Sequence, residues 1–184
     1  MVTKQELRAE IRLKRQGLKP EERAQWSQAL CEQLRDFMVQ HQVQRLFGFM
    51  PTKGEPDITL CWQSSAAFPL ALPRVGEPGF MDFYLHNPED HLSPNQFGIP
   101  EPPGHPQTLV EPTSSKDLIL VPALAIDHHG KRLGHGAGYY DRYLARYHQA
   151  NTMGVTFETF YLPDVPTEEH DISLKHVLTE KGLK

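Results

Sequence analysis

The segment DLILVPALAID (117–127) constrains the fold of this chain more than any other. It is apolar almost throughout, with acidic residues only at its two ends. A strand wetted on one face alternates apolar and polar residues, whereas a strand covered on both faces reads as a continuous apolar run. The segment therefore predicts a central strand of a parallel sheet. It falls well short of the ~18 apolar residues a membrane-spanning helix needs.

Shorter apolar runs flank it in both directions. RLFGFMP (45–51), FPLALPRV (68–75), the alternating MDFYLH (81–86), TMGVTF (152–157) and HVLT (176–179) each predict a strand. Helical patterns separate them. Thr3-Lys4-Gln5-Glu6 has the form of a capping box, Leu7, Ile11 and Leu18 follow at helical spacing, and Gly17 offers a stop. Pro20 suits the first turn of a second helix, whose buried stripe is Trp26, Leu30, Leu34, Phe37 and Met38. Further helices are predicted over Ile58 to Ser64 and Tyr139 to Gln149. The region 76–116 is rich in Pro and Gly yet carries Phe80, Phe83, Tyr84 and Phe97, so it reads as an excursion from the sheet and not as a linker. Strands alternating with helices imply an α/β fold in three layers, an open and mostly parallel sheet flanked by helices.

A glycine-rich loop, Gly130-Lys131-Arg132-Leu133-Gly134-His135-Gly136-Ala137-Gly138-Tyr139-Tyr140-Asp141-Arg142, lies between the central strand and a helix. Ligands bind at the carboxyl ends of strands in open α/β sheets. The N–H groups of such a loop and helix start suit a phosphate, and Lys131 and Arg132 add positive charge. Asp141 has the chemistry to hold a magnesium ion that bridges phosphate oxygens. The loop is neither a Walker A sequence nor a dinucleotide fingerprint, because its spacing is G-x-G-x-G and DHHGKRL separates it from the strand. Two readings stand at this point: a ligand loop, or a tight turn that packs helix on sheet with Asp141 favoured by the helix dipole.

Charge and composition narrow the choice. The 184 residues suit one domain, 1–184, and 39% hydrophobic with 23% charged residues is ordinary for a globular protein. The net charge is −4, but residues 1–19 hold six basic side chains (Lys4, Arg8, Arg12, Lys14, Arg15, Lys19) against Glu6 and Glu10. Such a helix suits a polyphosphate, a nucleic acid or an anionic membrane, or simply presents a solvated face. No broad basic surface follows in the remainder, so neither nucleic acid nor membrane is expected as a partner. The first sixteen residues are polar and lack the apolar centre of a secretory signal, so a cytoplasmic protein is expected. Cys31 and Cys61 lack metal-ligand spacing, and each is expected as a buried free thiol. His128, His129 and His135 are read as loop histidines, since no Cys/His set accompanies them.

GKRLGHGAGYYDRYL resembles the glycine-rich signature of the 5-formyltetrahydrofolate cyclo-ligase family. Four other segments resemble that family in the same order: the basic helix with Lys4 and Arg8, FMPTKGEPDI (49–58), NQFGIPEP (95–102) and VPTEEHDISL (165–174). Together they reach across residues 4 to 179. The resemblance implies a Rossmann-like sheet of the sugar-phosphate isomerase and CoA transferase type. It implies that ATP and Mg²⁺ are required and that 5-formyltetrahydrofolate is closed to the 5,10-methenyl form by a monomeric enzyme. By carry-over, Lys4, Arg8, Arg132, Leu133, Gly134, His135, Gly136, Ala137, Gly138, Tyr139 and Tyr140 would hold ATP. Met50, Glu55, His135 and Tyr139 would hold the folate, Asp141 and Asp171 the metal, and Arg132 and Asp141 would carry the chemistry. Ala137 stands where many bacterial relatives have glycine, which restricts that position to negative φ. The rival reading is a catalytically silent homologue that binds folate or RNA.

Overall fold

The computed structural model describes residues 2–63, 68–147, 149–168 and 171–184. Its elements run α1 (Lys4–Gln16), α2 (Pro20–Gln40), β1 (Arg45–Phe47), α3 (Leu60–Gln63), β2 (Leu70–Val75), β3 (Met81–Leu85), β4 (Ser93–Pro94), β5 (Pro100–Glu101), β6 (Leu109–Val110), β7 (Asp117–Pro122), β8 (Ala125–Asp127), β9 (Arg132–Leu133), α4 (Tyr139–Leu144), β10 (Asn151–Val155), β11 (Tyr161–Leu162), β12 (His176–Thr179) and β13 (Gly182–Leu183). The expected capping box forms: the Thr3 hydroxyl accepts from the Glu6 N–H, and the Glu6 carboxylate accepts from the Thr3 N–H.

Eight strands form the main sheet, in the order β13-β12-β10-β7-β1-β2-β3-β6. Strands β12, β10, β7, β1 and β2 are parallel neighbours, and antiparallel strands close both edges. Side chains alternate across this sheet as strand geometry requires. Leu46, Leu118, Leu120, Met153 and Leu178 meet Leu30, Leu34, Phe37 and Met38 of α2 on one face. Phe47, Ile119, Val121 and Val177 meet Tyr143 and Leu144 of α4 on the other. This double burial is why 117–122 reads as unbroken apolar sequence. Helix α1 packs through Ile11 on a three-stranded sheet, β11-β8-β9, together with Leu124, Leu133 and Phe157.

Four expectations need correction. The run 117–127 is not one strand: β7 ends at Pro122, and β8 belongs to the smaller sheet. Pro122 has no N–H for a ladder, and Arg15 Nη2 takes the freed Ala123 and Leu124 carbonyls at 2.6 and 2.9 Å. Arg15, one of the six basic side chains of residues 1–19, is buried by these bonds at 4% exposure. The helix expected to Gln149 stops at Leu144, and α3 begins two residues later than expected, with Ser64 outside the described residues. Cys31 and Cys61 are not separate thiols: α2 and α3 bring their Cα atoms to 5.2 Å and the two form a disulfide.

Candidate active site

Parallel strands leave their carboxyl ends on one side of the sheet, and here the winding direction reverses between β1 and β7. Such a reversal opens a crevice. A cleft of about 540 Å³ lies there, with Phe49 and Met50 after β1, Pro122 at the end of β7, and α1, the glycine-rich loop and the 92–101 hairpin around it.

Two ion pairs dominate its walls. Lys4 Nζ donates to Asp171 Oδ2 at 2.6 Å and to Glu168 Oε2 at 2.7 Å, which joins α1 to the C-terminal segment. Burial works against the Lys4 charge, but these carboxylates outweigh it and raise its pKa. Arg132 Nη2 lies 2.7 Å from Asp141 Oδ1. Neither Nη2 nor Nε of Arg132 has an aligned hydrogen-bond acceptor, although both are buried.

The glycine-rich loop owes its shape to residues on both sides. Arg8 Nε donates to the Gly134 carbonyl at 2.9 Å, and Arg142 holds the Ala137 and Gly79 carbonyls. Gly136 and Gly138 take φ of 108° and 71°, where a side chain is strained. A Cβ on Gly138 would also lie 2.7 Å from Arg142 Nη1. Ala137 has no positive φ, so the two glycines that flank it supply the left-handed turns and alanine fits.

Glu55 is the buried acid of the cleft. Its carboxylate accepts from the Thr52 N–H at 2.7 Å and the Thr52 hydroxyl at 2.9 Å, and lies 3.0 Å from His135 Nε2. Burial pushes its pKa up, yet the His135 contact and the Thr52 bonds prevail and hold it below the ordinary carboxylate value.

All but one of the residues assigned by carry-over from the family line this cleft: Lys4, Arg8, Met50, Glu55, Arg132, Gly134 through Asp141, and Asp171. The exception is Leu133, fully buried against Ile11 and Phe157, whose carbonyl accepts from Leu124 N–H. Lys131, expected to add charge for a phosphate, is not part of the cleft lining. Residues 169 and 170 of the VPTEEHDISL segment lie outside the described residues. Sequence reasoning gave no role to Arg12, Thr52, Asn95 or Phe97, which also line the cleft. Arg12 was findable, since it follows Lys4 and Arg8 at four-residue spacing on one helix face. Phe97 and Asn95 lie in NQFGIPEP, where Asn95 Oδ1 accepts from the Phe97 and Ile99 N–H groups and builds the turn.

The family model described as the 5-formyltetrahydrofolate cyclo-ligase family matches residues 1–180. The chain belongs to that family. A 5-formyltetrahydrofolate cyclo-ligase of Haemophilus influenzae is 26% identical over 181 residues, covering 95% of this chain and 96% of that one. The cyclo-ligase of Mycolicibacterium smegmatis is 46% identical over 89 residues, a match that covers 47% of this chain and 44% of the relative. The structure of the Aquifex aeolicus 5,10-methenyltetrahydrofolate synthetase superposes with a TM-score of 0.85 at 33% identity, covering 100% of this chain and 92% of that one.

The cyclo-ligase match puts the donor chemistry of the cleft to a test. Among the described residues no group of three or more His, Cys, Asp or Glu side chains converges as a metal cage. Asp141 and Asp171 are hard oxygen donors in one cleft with phosphate-type cations. That set fits Mg²⁺, which keeps most of its ligands as water and phosphate. Among the described residues no helix is long and apolar enough to cross a membrane.

Proposed function

We propose that this protein catalyses the ATP- and Mg²⁺-dependent cyclisation of 5-formyltetrahydrofolate to 5,10-methenyltetrahydrofolate, with release of ADP and phosphate. The observation that carries the proposal is the pairing of two cleft cations with carboxylates, Lys4 with Asp171 and Arg132 with Asp141. Phosphates that bind the cations free both carboxylates for a divalent ion. Family membership supports the substrate.

The formamide oxygen on N5 is a poor leaving group. In the proposed reaction it attacks the γ-phosphoryl group of ATP, and ADP departs. N10 then attacks the formyl carbon and loses its proton, and the former formyl oxygen leaves with phosphate. Phosphoryl transfer depends mainly on position and charge neutralisation, so the cleft needs no nucleophilic side chain. Lys4 and Arg8 hold the nucleotide, and Arg132 and the N–H groups of 134–140 meet its phosphates. Asp141 and Asp171 hold Mg²⁺, which when bound neutralises phosphate charge. Glu55 and Met50 receive the folate, with Tyr139 on the opposite wall, and His135 keeps Glu55 ionised. We assign the protein to the cytoplasm, where ATP and reduced folates meet.

The test is the growth of methenyltetrahydrofolate absorbance from 5-formyltetrahydrofolate with and without Mg-ATP. Growth only with Mg-ATP is expected. No growth from folded protein would overturn the activity and leave the family assignment intact.

A further inference from the structure

The two carboxylate oxygens of Glu55 are engaged differently. Oε2 accepts from the N–H and the hydroxyl of Thr52, three residues away in the same loop. Oε1 faces His135 Nε2 at 3.0 Å, across a separation of 80 residues. An ionised carboxylate only accepts, so Nε2 carries the proton of this bond. The partners are unequal: the Glu55 side chain is 3% exposed and that of His135 43%. The acid is sheltered, while the imidazole stands in the open cleft that both residues line. The backbone at 134–135 is held independently of this ring. Arg12 Nη2 donates to the His135 carbonyl at 3.3 Å, and Arg8 Nε to the Gly134 carbonyl at 2.9 Å. Rotation about the side-chain bonds of His135 therefore uncovers Oε1 without moving the loop.

The folate end assigned above, on which this inference rests, gives that oxygen a second claimant. The reduced pterin ring of a folate carries amino and ring N–H donors, the same chemistry as the imidazole N–H. We propose that His135 is a placeholder on Glu55, a positioning residue whose N–H occupies Oε1 in the empty cleft and is displaced by the N–H donors of the folate. Thr52 holds Oε2 throughout, so the carboxylate keeps its aim while the partner on Oε1 changes. The exchange makes the folate end selective. A buried carboxylate stripped of a partner is costly, so a ligand displaces His135 only by bringing a donor of its own. A ligand of the same shape without an N–H leaves the pair closed or strands Glu55. The exchange also tempers affinity, because folate binds only to the fraction of molecules in which the pair is open.

Equilibrium binding of 5-formyltetrahydrofolate without nucleotide reads the exchange directly. His135→Ala removes the placeholder and is expected to tighten folate binding about fivefold, the factor by which a hydrogen bond of ordinary net strength masks the open state. Mg-ADP affinity should stay within about twofold, since alanine keeps the backbone N–H and both arginine contacts of the loop. The gain should act through Glu55 alone. In Glu55→Gln protein, where the carboxylate is gone, His135→Ala should change folate affinity by less than about twofold. Unchanged folate affinity in His135→Ala would overturn the placeholder, and weaker affinity would overturn it by making His135 a folate contact. An equal gain in the Glu55→Gln background would overturn it by tracing the effect to room in the cleft. A gain accompanied by loss of Mg-ADP binding would overturn it by tracing the effect to the shape of the loop. In each of these cases turnover by the wild type leaves the cyclo-ligase reading in place. A wild type that binds no 5-formyltetrahydrofolate would remove both together.

Discussion

Arg132 and Asp141 neutralise each other inside the cleft, 2.7 Å apart and only 6% and 17% exposed. Lys4 and Asp171 repeat the arrangement at 2.6 Å. A largely buried ion pair gains little over an apolar packing, whereas loss of one partner strands the other charge. Both pairs are therefore better understood as charges held ready for a ligand than as fastenings of the fold. Asp141→Ala should reduce turnover by about 10²–10³-fold at any magnesium concentration. Arg132→Ala should reduce it by about 10²-fold with folate affinity retained, measured by steady-state kinetics beside equilibrium folate binding. A near-normal rate for Asp141→Ala at saturating magnesium would refute the metal role. Loss of folate binding in Arg132→Ala would mean that the folate end has been misplaced.

Glu55 gives the cleft a pH signature. The folded carboxyl takes up its proton less readily than the unfolded one, whose reference value is 4.5. Acid therefore favours the unfolded chain. The stability that the Glu55 carboxylate adds is complete above about pH 4.5 and is lost as pH falls through the lower folded value. Glu55→Gln should flatten the fall of the thermal midpoint below that pH, while Asp117 and Glu158, whose pKa values are also lowered, keep part of the slope. Identical slopes in wild type and Glu55→Gln would show that the Thr52 and His135 contacts do not stabilise the anion.

Arg15 should matter to the fold and not to the chemistry. Its guanidinium donates to the carbonyls of Gly54, Ala123 and Leu124 and to the Thr156 hydroxyl. Burial lowers its pKa to about 10, which still leaves it charged at neutral pH. Arg15→Met leaves those acceptors unpaired at about 1–3 kcal/mol each, so a loss of at least about 3 kcal/mol in denaturant unfolding is expected. Arg15→Lys should recover little of this, because an ammonium cannot span the same fork of acceptors. A loss below about 1 kcal/mol would show that water replaces the guanidinium.

The layer order and the cleft's membership were open to local reading for a definite reason. Leu118 to Val121 are apolar in unbroken succession because their two faces meet different helices. Gly136 and Gly138 stand where φ is positive, and Lys4 and Arg8 share one helix face. Each pattern follows from the local geometry of a strand, a turn or a helix. What local geometry cannot contain is the partner across the chain. The group that takes the Ala123 and Leu124 carbonyls after β7 ends is Arg15, more than a hundred positions away. Cys31 and Cys61 looked like separate thiols until α2 and α3 set their Cα atoms 5.2 Å apart. Leu133 carries the loop signature yet turns into the core, because β9 alternates its side chains between cleft and interior. By itself the sequence determined the parallel sheet, the glycine-rich loop and the family resemblance, since these rest on periodicity and short-range spacing. Only the tertiary structure decided that Lys4 meets Asp171, that Arg132 meets Asp141, and that Glu55 meets His135, because those relations depend on how distant segments pack.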